Sequence, residues 1–351
     1  MYLKFPVKYT KIIEKLLSQL GYKLSDSYTL ASLVLELSEH YNSRVISPNI
    51  WTSSQRTAAY LVYFFPLNYL RITRAMLLAK QVGFWREPRH WIELGSGNGA
   101  AFLAFLDNIS IDLTGADFIE LSKEANLLMY EFLKQLNAFD LKKCTWHNQP
   151  LPLKVSQQSL FISSYAINEL SQFPLWAGTC KDHFIIEPSL QETTRQLMNW
   201  RQKMLESHHY AWAPCTHQEY CPLIKHSKKD WCFDRFFIDP PEWFLEIEKF
   251  LPMKNTSLTY SYLALSKEPP LKKEKWGRII GDTLKEKGKH RQAFCRSSER
   301  EFLSWLKKEG QPPQLPRGHL LYLNSVMKKG SELRHLPNDL ETLDLDKPFS
   351  P

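Results

Sequence analysis

The chain has 351 residues, enough for two or three domains, and its 43% hydrophobic content supports a large core and excludes wholesale disorder. No run of about twenty apolar residues occurs, which excludes a helical membrane span. Six cysteines are too few for a disulfide scaffold, and a net charge of +8 suits an acidic partner.

Residues 1–86 read as a helical N-terminal region. Ile12, Ile13, Leu16, Leu17 and Leu20 recur at helical spacing and stop at Gly21, and Leu30, Leu33, Val34 and Leu37 form a second run. A third run, residues 57–81, contains Pro66, which predicts a break or kink. Its aromatic residues Tyr60, Tyr63, Phe64, Phe65 and Tyr69 read as core, with a wall for a substrate base as the alternative. The opening residues match neither a signal peptide nor a transit peptide, which predicts a cytoplasmic, bacterial protein.

Residues 87–269 alternate strand and helix, which predicts a parallel sheet with helices on both faces. Strands are expected at 90–95, 111–118, 158–170 and 182–189. Helices are expected from Ala100, over 122–137, in the gap before 182 and over 191–209. Residues 213–240 break the pattern as a Cys-, Pro-, Trp- and Lys-rich insertion, after which a helix over 241–251 and a strand over 257–266 complete the sheet.

The most informative stretch is "HWIELGSGNGAAFLAFLDN", His90–Asn108. A short apolar strand meets a glycine turn and then a helix, whose first N–H groups suit an anion. The Lys-Ser/Thr pair of a phosphate loop is absent, and the third glycine comes one residue too early for a dinucleotide fingerprint. What remains is the E-x-G-x-G-x-G turn of S-adenosylmethionine-dependent methyltransferases, on Glu93, Gly95, Ser96, Gly97 and Gly99. Asp117, 24 residues after Glu93, is the acid expected to accept the ribose hydroxyls. Ligands of such sheets sit at the carboxyl ends of the strands, where Asp117, Asn148, Tyr165, Asn168, Glu169 and Glu187 are expected. Tyr165 would stack on an acceptor base while Asn168 and Glu169 read its edge. The alternative is a helix cap for Asn168 and a structural role for Glu169.

Residues 270–325 form a third unit, expected to be β-rich. Residues 271–300 hold ten Lys/Arg against four Asp/Glu, which predicts a phosphate-backbone contact surface over a merely solvated face. Residues 326–351 read as a flexible tail.

Cys215, Cys221 and Cys232 follow a C-x5-C-x10-C spacing, and Cys295 lies 63 residues further on. Four such thiols suit zinc or an iron–sulfur cluster, and His217 is a possible substitute in a zinc site. Cys144 and Cys180 read as ordinary buried thiols.

The motifs "AAYLVYFFPLNY", "ELGSGNGAAFLAF", "SSYAINEL", "IIEPS", "APCTHQEYCPL" and "DWC" stand in this order. Together they resemble the methyltransferase-like family associated with the small ribosomal subunit in mitochondria and its bacterial relatives. The resemblance covers roughly residues 50–325. It implies a Rossmann-like class I methyltransferase fold, maturation of the small subunit and binding to ribosomal RNA. It also implies a [4Fe-4S] cluster on Cys215, Cys221, Cys232 and Cys295, with zinc as the alternative, in a chain monomeric off the ribosome. Asn98 stands where the family turn has proline. Two functions follow: an RNA methyltransferase, or a catalytically idle assembly factor that keeps the cofactor and metal sites.

Overall fold

The computed structural model describes residues 2–43, 49–87, 89–149, 155–156, 158–170, 172–270, 276–310, 315–334 and 340–342. The chain enters through β1 (Leu3–Lys4), then α1 (Val7–Gln19) and α2 (Ser27–Asn42), which bury Ile12, Ile13, Leu16 and Leu17, and Leu30, Val34 and Leu37. Asp26 starts α2 by accepting the Thr29 N–H at 3.2 Å. Helix α3 (Ser54–Ala59) passes through a π-helical turn, Tyr60–Phe64, into α4 (Phe65–Gln81). The break expected at Pro66 is therefore a change of pitch. Proline offers no N–H to the carbonyl one turn back and crowds it, and the wider turn relieves both. No helix among the described residues is long and apolar enough to cross a membrane.

The alternating region follows: β2 (Arg89–Leu94), α5 (Ala100–Asn108), β3 (Leu113–Ile119), α6 (Lys123–Leu136), β4 (Cys144–His147), β5 (Ser159–Ser164), β6 (Asp182–Glu187) and α7 (Gln191–Glu206). It continues with β7 (Tyr210–Ala213), α8 (Pro222–His226), β8 (Asp234–Asp239), α9 (Glu242–Glu248) and β9 (Ser257–Ser266). The sheet order is β1-β8-β9-β6-β5-β2-β3-β4, with β7 also on β9. Strands β4, β3, β2, β5 and β6 are mutually parallel, and β9 runs antiparallel between β6 and β8. This is a Rossmann-like, class I methyltransferase sheet. Its central strands are buried on both faces, as a covered parallel sheet requires. At their amino ends Arg89 and Asp182 form an ion pair with no exposed side-chain surface.

Two expectations need correction. The crossover from β5 to β6 holds only short 3-10 turns, Ile167–Glu169 and Ala177–Thr179, among the described residues, in place of a full helix. The insertion is also shorter than 213–240, because Asp234–Asp239 pairs with β9 as a sheet strand. Residues 151–154, expected to lead into β5, lie outside the described residues.

The second sheet contains β10 (Trp276–Ile279), β11 (Leu284–Glu286), β12 (Lys289–Cys295), β13 (Glu301–Leu306), β14 (Leu320–Leu323), β15 (Met327–Lys329), β16 (Glu332–Arg334) and β17 (Leu340–Thr342). The order is β15-β16-β13-β12-β10-β14-β17, with β11 on β12. Ile279, Phe294, Leu303, Trp305, Leu321 and Leu333 form its own core, while Trp276 and Leu320 join the core of the first sheet. The β-rich third unit is thus as expected, but the tail is not. Residues 327–329, 332–334 and 340–342 are sheet strands, and the remainder of 335–351 lies outside the described residues.

Part of the charge of this unit is answered within the described residues. Of the seven Lys/Arg in 276–300, Arg278, Lys289, Arg291, Arg296 and Arg300 pair with acids. Among the described residues, Lys285 and Lys287 have no ion pair, so the free cationic surface is smaller than the sequence count suggests.

Candidate functional site

The sheet order reverses between β2 and β5, and the glycine turn sits at the carboxyl end of β2. Gly95, Gly97 and Gly99 all have positive φ, at 66°, 53° and 83°. At Gly95 a Cβ would stand 2.3 Å from the Ala166 Cβ, and at Gly99 it would meet Met129 Cγ at 2.7 Å. Both positions therefore need glycine for backbone conformation and for space. Gly99 caps α5, and the Leu103 N–H returns to its carbonyl at 2.9 Å.

The acid that meets this turn is Glu120, immediately past β3. Its Oε2 accepts the Gly97 N–H at 3.0 Å, and its Oε1 accepts the Ser122 N–H at 2.9 Å. Asn148 reaches the same strand end, donating to the Glu120 carbonyl at 3.1 Å. Asp117 lies three residues back inside the strand, between His90 and His147 of the neighbouring strands, the latter at 2.7 Å. Burial raises its carboxyl, but the two histidine hydrogen bonds outweigh this and hold it below the usual range. The structure thus gives Asp117 a cross-strand bracing role and places Glu120 at the turn. The missed signal was the apolar run of β3, which continues to Ile119, so the first acid beyond it is Glu120.

Other acids surround the turn. Glu93 is buried, takes the Trp91 Nε1–H at 3.0 Å on Oε2, and leaves Oε1 without a hydrogen bond. Burial pushes its carboxyl up to about 8. Glu187, at the end of β6, is raised to about 8 for the same reason, and burial also raises Glu169. Ser96 Oγ, Asn98 Nδ2 and Asn168 Oδ1 are buried without hydrogen-bond partners. Tyr165 follows β5 with φ of 60°, its hydroxyl buried. The N-terminal region supplies a further wall. Trp51 would lie 3.5 Å from a Cβ on Gly97, and its ring meets Tyr60 of the π turn at 4.7 Å between centroids. Of the aromatic run expected as core, Tyr63, Phe65 and Tyr69 are buried, while Tyr60 and Phe64 are half-buried against the core. The arrangement can hold a cationic ligand bearing vicinal hydroxyls: it offers carboxylates, turn N–H groups, unpaired buried polar atoms and an aromatic wall.

A second site lies between the two sheets. Cys215, Cys221, Cys232 and Cys295 all line one cavity of about 40 Å³, with Arg201, His217, Tyr262 and Arg278. Cys215 follows β7, Cys221 caps α8, Cys232 precedes β8 and Cys295 ends β12. All four are free thiols. Burial pushes Cys221 up to about 11 and also raises Cys232 and Cys295. Arg201 Nε donates to Cys215 Sγ at 3.0 Å and Arg278 to Cys232 Sγ at 3.1 Å. His217 Nε2 stands 3.4 Å from Cys295 Sγ. Among the described residues no three His, Cys, Asp or Glu side chains are placed to hold a single metal ion. Cys144 is half-buried and Cys180 buried, both away from this cavity.

A family model described as mitochondrial small ribosomal subunit Rsm22 matches residues 54–312, about three quarters of the 351-residue chain. No curated protein matches the chain. Among solved structures, a putative RNA methyltransferase from Pyrococcus horikoshii is similar at 15% identity and a TM-score of 0.36, over 67% of this chain and 97% of that one. A precorrin-6y C5,15-methyltransferase from Geobacter metallireducens matches at 11% identity and 0.34, over 55% and 87%. An rRNA methylase from Streptococcus thermophilus matches at 10% and 0.30, over 55% and 93%. At these scores nothing about substrate or chemistry follows from the three.

Proposed function

The chain belongs to the Rsm22 family, and from that premise we propose that it binds S-adenosylmethionine and acts on, or binds, ribosomal RNA of the small subunit during its maturation. The observation that supports this most is the three-glycine turn at the switch point with Glu120 bonded to the Gly97 N–H. The buried polar atoms left unpaired there suit a ligand with its own donors and acceptors. Glu120 takes the ribose role first expected of Asp117. Gly95, Ser96, Gly97 and Gly99 cradle the cofactor, with Glu93 beneath and Asn148 steadying the Glu120 strand end.

Methyl transfer carries a sulfonium methyl in line to an acceptor atom, so the protein's task is alignment and exclusion of water. Tyr165 and Tyr60 offer aromatic faces to a flipped or single-stranded base, and Asn168 with Glu169 reads its edge. A labelled-methyl assay on immature small subunits tests this: Asn168→Ala and Glu169→Ala should each lower transfer at least tenfold. Full transfer by both variants would remove the catalytic assignment. The idle-factor reading is favoured by one observation. Glu187, raised to about 8, and Glu169, raised by burial, are poorly suited as ionised bases near neutrality. No transfer by a wild-type chain that binds S-adenosylmethionine would establish that reading.

We further propose that Cys215, Cys221, Cys232 and Cys295 hold a [4Fe-4S] cluster. Four thiols that line one cavity are the donor set such a cluster takes. Such a cluster supplies a one-electron couple and joins the insertion to the second sheet. Thr216 and Glu219 already bridge the same junction, through the Cys295 carbonyl at 3.0 Å and the Ser298 N–H at 2.8 Å.

A further inference from the structure

Arg201 is 2% exposed. Its donors go to Cys215 Sγ, to the Glu219 carbonyl at 3.0 Å and to the His217 carbonyl at 2.7 Å. Among the described residues it makes no ion pair with a carboxylate. A buried guanidinium without a counter-charge is costly, and proteins rarely keep one unanswered. Arg278 differs, because it pairs with buried Asp234 while still donating to Cys232 Sγ. It also stands directly across the ladder from Cys295. The cavity thus holds one guanidinium more than its carboxylates balance, aimed at sulfur from the α7 side, with a second aimed from β10.

Resting on the cluster reading above, we propose that Arg201 is the positioning and charge-compensating residue of the sulfur site, and that Arg201 with Arg278 sets its reduction potential. Four thiolates outweigh the charge of the iron–sulfide core they hold, so the occupied site is an anion. Hydrogen bonds to sulfur and nearby positive charge both favour the further electron. Each guanidinium supplies both, and they arrive from different elements, helix α7 and strand β10. The electron comes from an added reductant, and no bond is made or broken in its uptake. The apolar cavity of about 360 Å³ beside it shares Cys215, His217, Tyr262 and Arg278, so the Arg278 side has access from outside. Both guanidiniums are buried.

The test uses the full chain, prepared without oxygen. Iron and sulfide per chain are measured first, and the cluster is then titrated with dithionite and followed by electron paramagnetic resonance. Arg201→Gln should lower the ratio of reduced to oxidised cluster at the wild-type midpoint about tenfold, equal to about 59 mV for one electron. Arg201→Lys, which keeps the charge but loses the fork, should shift the midpoint the same way by a smaller step. Lys249→Gln, at an exposed position just after α9, should not move it. A midpoint unchanged in Arg201→Gln overturns the proposal. If that variant does not load, an unchanged midpoint in Arg201→Lys overturns it instead. A wild-type chain without iron and sulfide refutes the cluster reading, and the role of Arg201 falls with it. Because occupancy is measured before potential, the two failures are distinguishable.

Discussion

The two sites are lined by opposite kinds of ionisable side chain. Around the glycine turn stand Glu93, Glu120, Glu169 and Glu187, with no arginine bonded to any of them among the described residues. Around the thiol cavity stand Arg201 and Arg278, with Asp234 as partner to the second alone. A sulfonium is a cation, and a thiolate-bound cluster is an anion. On the reading proposed above, carboxyls face the first ligand and guanidiniums the second. The cost of each appears in the protein as acids raised by burial at the first and an unbalanced guanidinium at the second. Ligand binding is expected to relieve both.

Four substitutions would break or sharpen this contrast, the largest first. Asp234→Asn removes the carboxylate from the buried pair with Arg278 and leaves that charge uncompensated. A loss of about 3–5 kcal/mol is expected in chemical denaturation of the full chain. A loss under 1 kcal/mol would mean that the thiol side carries no unbalanced charge.

Glu93→Gln tests the acidic side through pH. The folded carboxyl sits at about 8 against 4.5 unperturbed. Its contribution to stability is therefore full below pH about 4.5 and is lost as pH rises through about 8. Without cofactor, wild type should lose stability relative to Glu93→Gln across that window, by a few kcal/mol at its upper end. Parallel melting curves from pH 5 to 8 would show that Glu93 is not held neutral.

Glu120→Gln should weaken S-adenosylmethionine binding about tenfold, near 1.4 kcal/mol, measured by calorimetry. Asp117→Asn should change binding less than threefold, because its carboxylate is already engaged by His90 and His147. The reverse ranking would return the ribose role to Asp117.

How much of this was legible in the sequence depended on how far apart the contributing residues lie. The glycine turn and its helix are contiguous, so their spacing alone located the site to within a few residues. Glu120 was passed over because the strand was ended at Phe118, one residue short of Ile119. The four cysteines could be read as a set, but the arginines aimed at them could not. Arg201 sits in a helix whose apolar stripe looks ordinary, and Arg278 sits in a run of cations that invites a surface reading. Burial turned those charges inward, and only tertiary pairing reveals it. The supposed tail failed for a related reason, since β15, β16 and β17 are short strands, and β16 and β17 join the sheet through partners elsewhere in the chain.

The measurement that bears most directly on the glycine turn is a calorimetric titration of S-adenosylmethionine into the full-length wild type and Gly95→Ala. A Cβ there would stand 2.3 Å from the Ala166 Cβ on a backbone with φ of 66°. Wild type should saturate at one cofactor per chain, while a folded Gly95→Ala chain should bind at least a hundredfold more weakly. Absence of binding by wild type, or equal affinity in Gly95→Ala, would contradict a cofactor seated on this turn.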